Sequence, residues 1–215
     1  MLTADLYYSF RSPYSYIGSW RYRALTRDYD LSIRLRPVYP IATRNPDFFK
    51  AVNPLWMSYL QMDVRRMAEF HEVPFGKPRP DPIVMNNETL EIADDQPFIR
   101  RLTYLGLEAE RRGRGLDFCC EVGRDIWGGV ENWHLDEHLS VSVARAGLDL
   151  AEMEASIAGR ADELEVEIAN NQRAEEEAGH WGTPCLVFEG EPFFGQDRID
   201  MAVWRMTQKG LVVCN

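Results

Sequence analysis

Apolar and polar positions alternate at the two ends of the chain and recur with helical spacing between them. Residues 4–10 (Ala-Asp-Leu-Tyr-Tyr-Ser-Phe) are a short aromatic-rich run and predict a strand. Pro13 is well placed to open a helix, which the pattern carries to about Arg27. Residues 32–38 alternate apolar and polar and predict a second strand. A β-α-β unit of this kind favours a parallel pair with a right-handed crossover.

A long helical stretch follows. Asn45-Pro46 and Asn53-Pro54 punctuate its entry, and residues 55–71 predict a helix with Leu60, Val64, Met67 and His71 on one side. Residues 74–92, rich in proline and asparagine, read as a loop. Gln96-Pro97 opens another helix, with Phe98, Leu102, Leu105 and Ala109 as its apolar face and Gly113 as its stop. Residues 115–128, 135–146, 149–158 and 161–178 complete the helical block. The pattern then reverts. Residues 184–188 predict a strand, Glu189-Gly190-Glu191 a turn and residues 192–194 a further strand. A last helix starts near Asp197, a plausible N-cap, and turns Ile199, Val203 and Met206 inward. The expected division is an α/β unit made of residues 1–44 and 179–215, interrupted by a helical insertion over 45–178.

Composition narrows the function classes. The chain has 215 residues, enough for a core that needs neither disulfides nor metals. Its 24 basic and 34 acidic residues leave a net charge of −10 with no basic cluster, which argues against nucleic acid and anionic membranes. No secretory leader is expected at the N-terminus, and no run reaches the roughly 20 apolar residues of a membrane span. Cys119, Cys120, Cys185 and Cys214 form neither a C-x-x-C pair nor a zinc spacing, so a reducing cytoplasm is the expected compartment. His134-Leu135-Asp136-Glu137-His138 fits the H-x-x-E-H zinc pattern, but it straddles a helix start. Only His180 offers a third histidine downstream, so no metal is expected.

Two short segments carry the candidate chemistry. Near the start stands Phe10-Arg11-Ser12-Pro13-Tyr14-Ser15-Tyr16; near the end stands Gly182-Thr183-Pro184-Cys185, followed by Phe193-Phe194-Gly195-Gln196-Asp197-Arg198. Ser12 falls at a helix N-terminus, where unpaired N–H groups and roughly half a positive charge favour an anion such as a thiolate. No histidine in that motif could act as its base, so Ser12 is read as a hydrogen-bond donor to a sulfur supplied by a ligand. The alternative is that Ser12 only caps the helix. Pro184 is either an ordinary strand-opening proline or a cis-proline whose preceding residue offers backbone groups to an extended peptide.

As an ordered set, these motifs resemble the DsbA-like thioredoxin superfamily. The closer resemblance is to its branch of 2-hydroxychromene-2-carboxylate isomerases and kappa-class glutathione transferases. It covers nearly the whole chain, with Thr183 where valine is usual and Cys185 after the proline as departures. The resemblance implies a thioredoxin-like α/β fold with an all-helical insertion, glutathione as cofactor, a small aromatic substrate and a homodimer. It further implies that Ser12 stabilises the glutathione thiolate and that Thr183 and Pro184 pair with the peptide. Gln196 and Asp197 would hold the γ-glutamyl end, and Asp63, with Asn53 nearby, would reach the ligand from a partner subunit. The substrate pocket is expected between the two parts of the chain, with Tyr14, Trp56, Tyr59, Trp127 and Trp133 as candidate liners; each also reads as ordinary core. The isomerase reading predicts that glutathione is regenerated, the transferase reading that it is consumed. A binding protein without redox cysteines is the remaining alternative.

Overall fold

A computed structural model describes residues 1–86 and 88–214. Strand β1 (Leu2–Tyr8) lies at the centre of the sheet beside β2 (Leu31–Pro37), in parallel, with Leu2 opposite Leu31 and Tyr8 opposite Pro37. On its other side β1 runs antiparallel to β3 (Cys185–Phe188), which pairs with β4 (Glu191–Phe194). The strand order is therefore β2-β1-β3-β4. The alternation explains the two faces. Leu6, Tyr8 and the following Phe10 point into the main core, whereas Tyr7 meets Cys185 and Val38 on the opposite face.

Helix α1 (Pro13–Asp28) supplies the crossover between β1 and β2. The expected turns after β2 contain two short helices, α2 (Ile41–Arg44) and α3 (Phe48–Ala51). Then come α4 (Pro54–Phe70), α5 (Pro97–Arg111), α6 (Gly115–Trp127), α7 (Asp136–Arg145), α8 (Leu150–Ile157) and α9 (Ala161–Glu177). Helix α10 (Ile199–Thr207) closes the order. The helical block therefore sits in sequence between β2 and β3, and the fold is thioredoxin-like with a helical insertion.

Strand β1 ends two residues before the predicted limit, because residues 9–12 fold into a turn closed by the Ser12 N–H on the Ser9 carbonyl at 3.0 Å. Phe10 anchors this turn in the core, edge-on to Tyr8 at 5.1 Å and to Phe118 at 5.6 Å. Helix α5 passes close by at Gly106, where a Cβ would stand 2.9 Å from the Phe10 ring. The loop over 74–92 carries an isolated bridge between Met85 and Ile92. Among the described residues no helix is long and apolar enough to cross a membrane. His134 lies against the Phe98 ring at 4.6 Å, and α7 begins only at Asp136.

Candidate active site

Ser12 is the N-cap of α1. Its backbone is extended, and its Oγ accepts the Ser15 N–H at 3.2 Å. The same hydroxyl donates to the Thr183 carbonyl at 3.0 Å, across a separation of 171 residues. The two motifs thus meet through one side chain, which caps the helix and also reaches beyond it.

Three further contacts hold the turn that carries Ser12. The Trp127 indole N–H donates to the Phe10 carbonyl at 3.1 Å. Arg11 forms a forked pair with Asp81, Nε to Oδ1 at 2.9 Å and Nη2 to Oδ2 at 3.1 Å. Its guanidinium also lies 5.1 Å from the centre of the Phe49 ring. Asp81 is in turn fixed by accepting the Ile83 N–H at 3.0 Å. Neither Arg11 nor Asp81 is a candidate from the sequence, where nothing links the two across 70 positions.

On the opposite side of the site, the Thr183-Pro184 bond is cis, and the Pro184 carbonyl accepts the Gly195 N–H at 2.8 Å. The Gly182 N–H donates to His180 Nδ1 at 2.8 Å, and the His180 ring stacks on Phe194 at 3.9 Å. Burial holds His180 below the usual histidine range, which keeps Nδ1 free to accept. Among the described residues the Thr183 N–H donates to no acceptor. Gln196 is 3% exposed, and its buried side chain faces the His71 imidazole at the end of α4. The Gln196 backbone carbonyl accepts from Arg21 at 3.0 Å.

Asp197 departs from its expected place as N-cap. A 3₁₀ turn over Gln196–Arg198 delays the helix, so α10 starts at Ile199 after Arg198, with no side-chain cap. The Asp197 carboxylate is exposed and accepts from Arg198 at 2.8 Å. Asp63, on α4, accepts from the Tyr14 hydroxyl at 2.7 Å and the Tyr59 hydroxyl at 3.3 Å, and pairs with Arg66 at 3.4 Å. Burial, then the Asp63 carboxylate, pushes the Tyr14 hydroxyl well up. Asp63 therefore lies against the start of α1 in its own chain. Asn53 caps α4 by accepting the Leu55 N–H at 3.0 Å and is otherwise exposed.

A cavity of about 700 Å³ opens beside the Ser12 turn, with Arg11, Pro13, Phe49, Leu60, Phe75 and Trp127 among its walls. Trp127 is thus both wall and support, and it stacks on Phe75 at 5.8 Å. Trp133 is not a liner. It is 2% exposed, packed in the core, with its indole N–H on the Pro80 carbonyl at 2.8 Å. Trp56 and Tyr59 are exposed on α4 and do not line this cavity; Trp56 meets Phe48 edge-on. A second cleft, about 800 Å³ beside Arg23, Arg27 and Glu110, holds none of these residues.

The cysteines offer no thiolate here. Burial pushes the Cys185 thiol up to about 12, and the nearby Glu175 carboxylate adds to the effect. Cys120 is likewise raised to about 12 by burial, and Cys119 well above the ordinary range. The fourth, Cys214, is exposed, and its N–H donates to the Asp28 carbonyl at the far end of α1 from Ser12.

The chain belongs to the DSBA-like thioredoxin domain family, whose model matches residues 3–206. It is 23% identical over 204 residues to the 2-hydroxychromene-2-carboxylate isomerase of Pseudomonas putida, covering 93% of this chain and 92% of that protein. Among solved structures, a 2-hydroxychromene-2-carboxylate isomerase superposes with a TM-score of 0.72 at 20% identity, over 96% of this chain and 95% of that one. The cytosolic disulfide reductase DsbM of Pseudomonas aeruginosa, solved with GSH, follows at a TM-score of 0.58 and 18% identity, over 96% and 98%. At these identities the structural likeness speaks for the fold.

Proposed function

We propose that the chain is a glutathione-dependent isomerase of an aromatic 2-hydroxychromene-2-carboxylate-like substrate. The observation that carries the reading is the Ser12–Thr183 hydrogen bond, which brings the serine motif and the cis-proline motif into one site. The similarity to the isomerase of Pseudomonas putida over nearly the full chain supports it.

The residues present fit glutathione. The free Thr183 N–H and the Thr183 carbonyl can pair with an extended peptide as a neighbouring strand would. Gln196 lies at the same end of the site with its side chain turned to His71, and Asp197 offers an acceptor for an ammonium group. Glutathione, when bound, supplies the thiol that the chain lacks at this turn. Ser12 donates its hydroxyl hydrogen to the sulfur, and the N-terminus of α1 favours the thiolate. Tyr14 and Asp63 border the same helix start. The cavity walls of Phe49, Phe75 and Trp127 accept a flat aromatic body. Arg65 and Lys77 bring positive charge to a lining that also holds Glu69 and Glu72.

The chain works as a homodimer in a reducing cytoplasm on this reading. The exposed apolar stripe of Leu55, Trp56, Tyr59 and Met62 on α4 supports association, which sedimentation would measure.

Calorimetry with glutathione tests the binding step, and loss of turnover with retained binding in Ser12→Ala tests the serine. Turnover with glutathione undiminished supports the isomerase. Stoichiometric loss of free thiol would make the chain a kappa-like transferase. Absence of glutathione binding would leave a protein that kept the fold without this chemistry.

A further inference from the structure

The Ser12 hydroxyl has one hydrogen, and it is committed to the Thr183 carbonyl. Its oxygen is also engaged, as acceptor of the Ser15 N–H. To serve a sulfur, the hydroxyl must turn away from Thr183. That would strand a carbonyl in a part-buried place, at a cost comparable to the bond gained. The adjoining Thr183 N–H is meanwhile without an acceptor among the described residues.

We infer that the site works by hydrogen-bond exchange: the ligand's own amide N–H takes over the Thr183 carbonyl and so releases the Ser12 hydrogen to the sulfur. This rests on the thiol-binding reading above and adds a rule of selection to it. The site activates thiols that carry a backbone amide beside the sulfur-bearing carbon, that is, cysteinyl peptides. A plain thiol of the same acidity binds without gaining the serine. The thiol's proton passes to solvent, and no covalent bond of the chain changes.

The geometry favours this over simple rotation of the hydroxyl. Thr183 sits between Gly182, whose N–H is spent on His180, and Pro184, whose carbonyl is spent on Gly195. The Gly182 N–H is thus engaged, and Pro184 has no N–H to donate. With the site filled, the donor at hand for the freed carbonyl is the ligand's own amide.

The test reads the acidity of the bound thiol, by the ultraviolet absorbance of the thiolate, in the whole protein. Glutathione is compared with its ester analogue, in which oxygen replaces the cysteinyl N–H. Exchange predicts that bound glutathione titrates about one to two pH units below the free thiol, from a hydrogen bond to a charged group. The bound ester analogue should move by less than about half a unit, since its gain at sulfur is offset at Thr183. Ser12→Ala should remove most of the glutathione shift, leaving only what the start of α1 supplies, while a melting curve confirms folding. If that variant fails to fold, the two ligands on the unaltered protein still decide. Equal shifts for both ligands would overturn the exchange and leave the thiol site standing. Failure of glutathione to bind would overturn both.

Discussion

Glu175 offers a measurement independent of any ligand. Its side chain on α9 is fully buried; one oxygen meets Arg44 of α2 at 3.2 Å and the other has no partner. Burial pushes its carboxyl from 4.5 up to about 7, with the nearby Glu176 adding to the rise, and Arg44 offsets only part of this. Because the folded value lies above the unfolded one, the folded chain holds this proton more tightly. The stabilisation is complete below about pH 4.5 and is lost as pH rises through about 7. The separation of the two values corresponds to about 3 kcal/mol as an upper figure. Glu175→Gln cannot titrate, so the difference in urea stability between the two proteins isolates this group from every other acid. That difference, unaltered chain minus variant, should fall by up to about 3 kcal/mol between pH 4.5 and 8. A flat difference would refute the reasoning, and a rising one would show that Arg44 keeps the carboxylate ionised.

Two more substitutions address the supports of the site. Gly182→Ala places a Cβ 2.7 Å from the Phe194 ring and 3.0 Å from His180, so it should cost about 1–3 kcal/mol and weaken glutathione at least tenfold; unchanged affinity in calorimetry would show that the Thr183 backbone does not depend on this packing. Trp127→Phe keeps a ring against Phe75 but removes the donor to the Phe10 carbonyl, so urea denaturation should show a loss of about 1 kcal/mol and kinetics a turnover reduced more than KM is raised; an unaltered turnover would mean that the turn holds Ser12 without it.

The order of strands and helices was legible because each element announces itself locally, through alternation, helical spacing and proline at helix starts. Ser12 and Pro184 could be singled out for the same reason, since each lies in a short contiguous motif. The supports could not. Arg11 with Asp81, Trp127 with the Phe10 carbonyl, and Glu175 with Arg44 are pairs chosen only when the fold closes. Trp127 and Trp133 look alike in sequence. One ends α6 and faces the cavity, the other follows it into the core, a distinction set by where the helix stops. Asp197 does not cap α10 because the chain enters that helix through a 3₁₀ turn after Gly195, whose φ of 97° redirects the backbone.

The hydrogen bond between Ser12 and Thr183 spans 171 positions, and so it sets an order of events as the chain is made. Synthesis delivers the serine turn first and its carbonyl partner nearly last, with the whole helical block between them. Closing a loop this long costs about 5 kcal/mol of chain entropy, which the pairing of β1 with β3 must meet before the contact can form. A nascent chain without β3 therefore has the serine and the helix start but nothing to present a peptide against them. On the proposed function, the capacity to capture a thiol arrives with completion of the sheet, and it marks the finished molecule from the growing one.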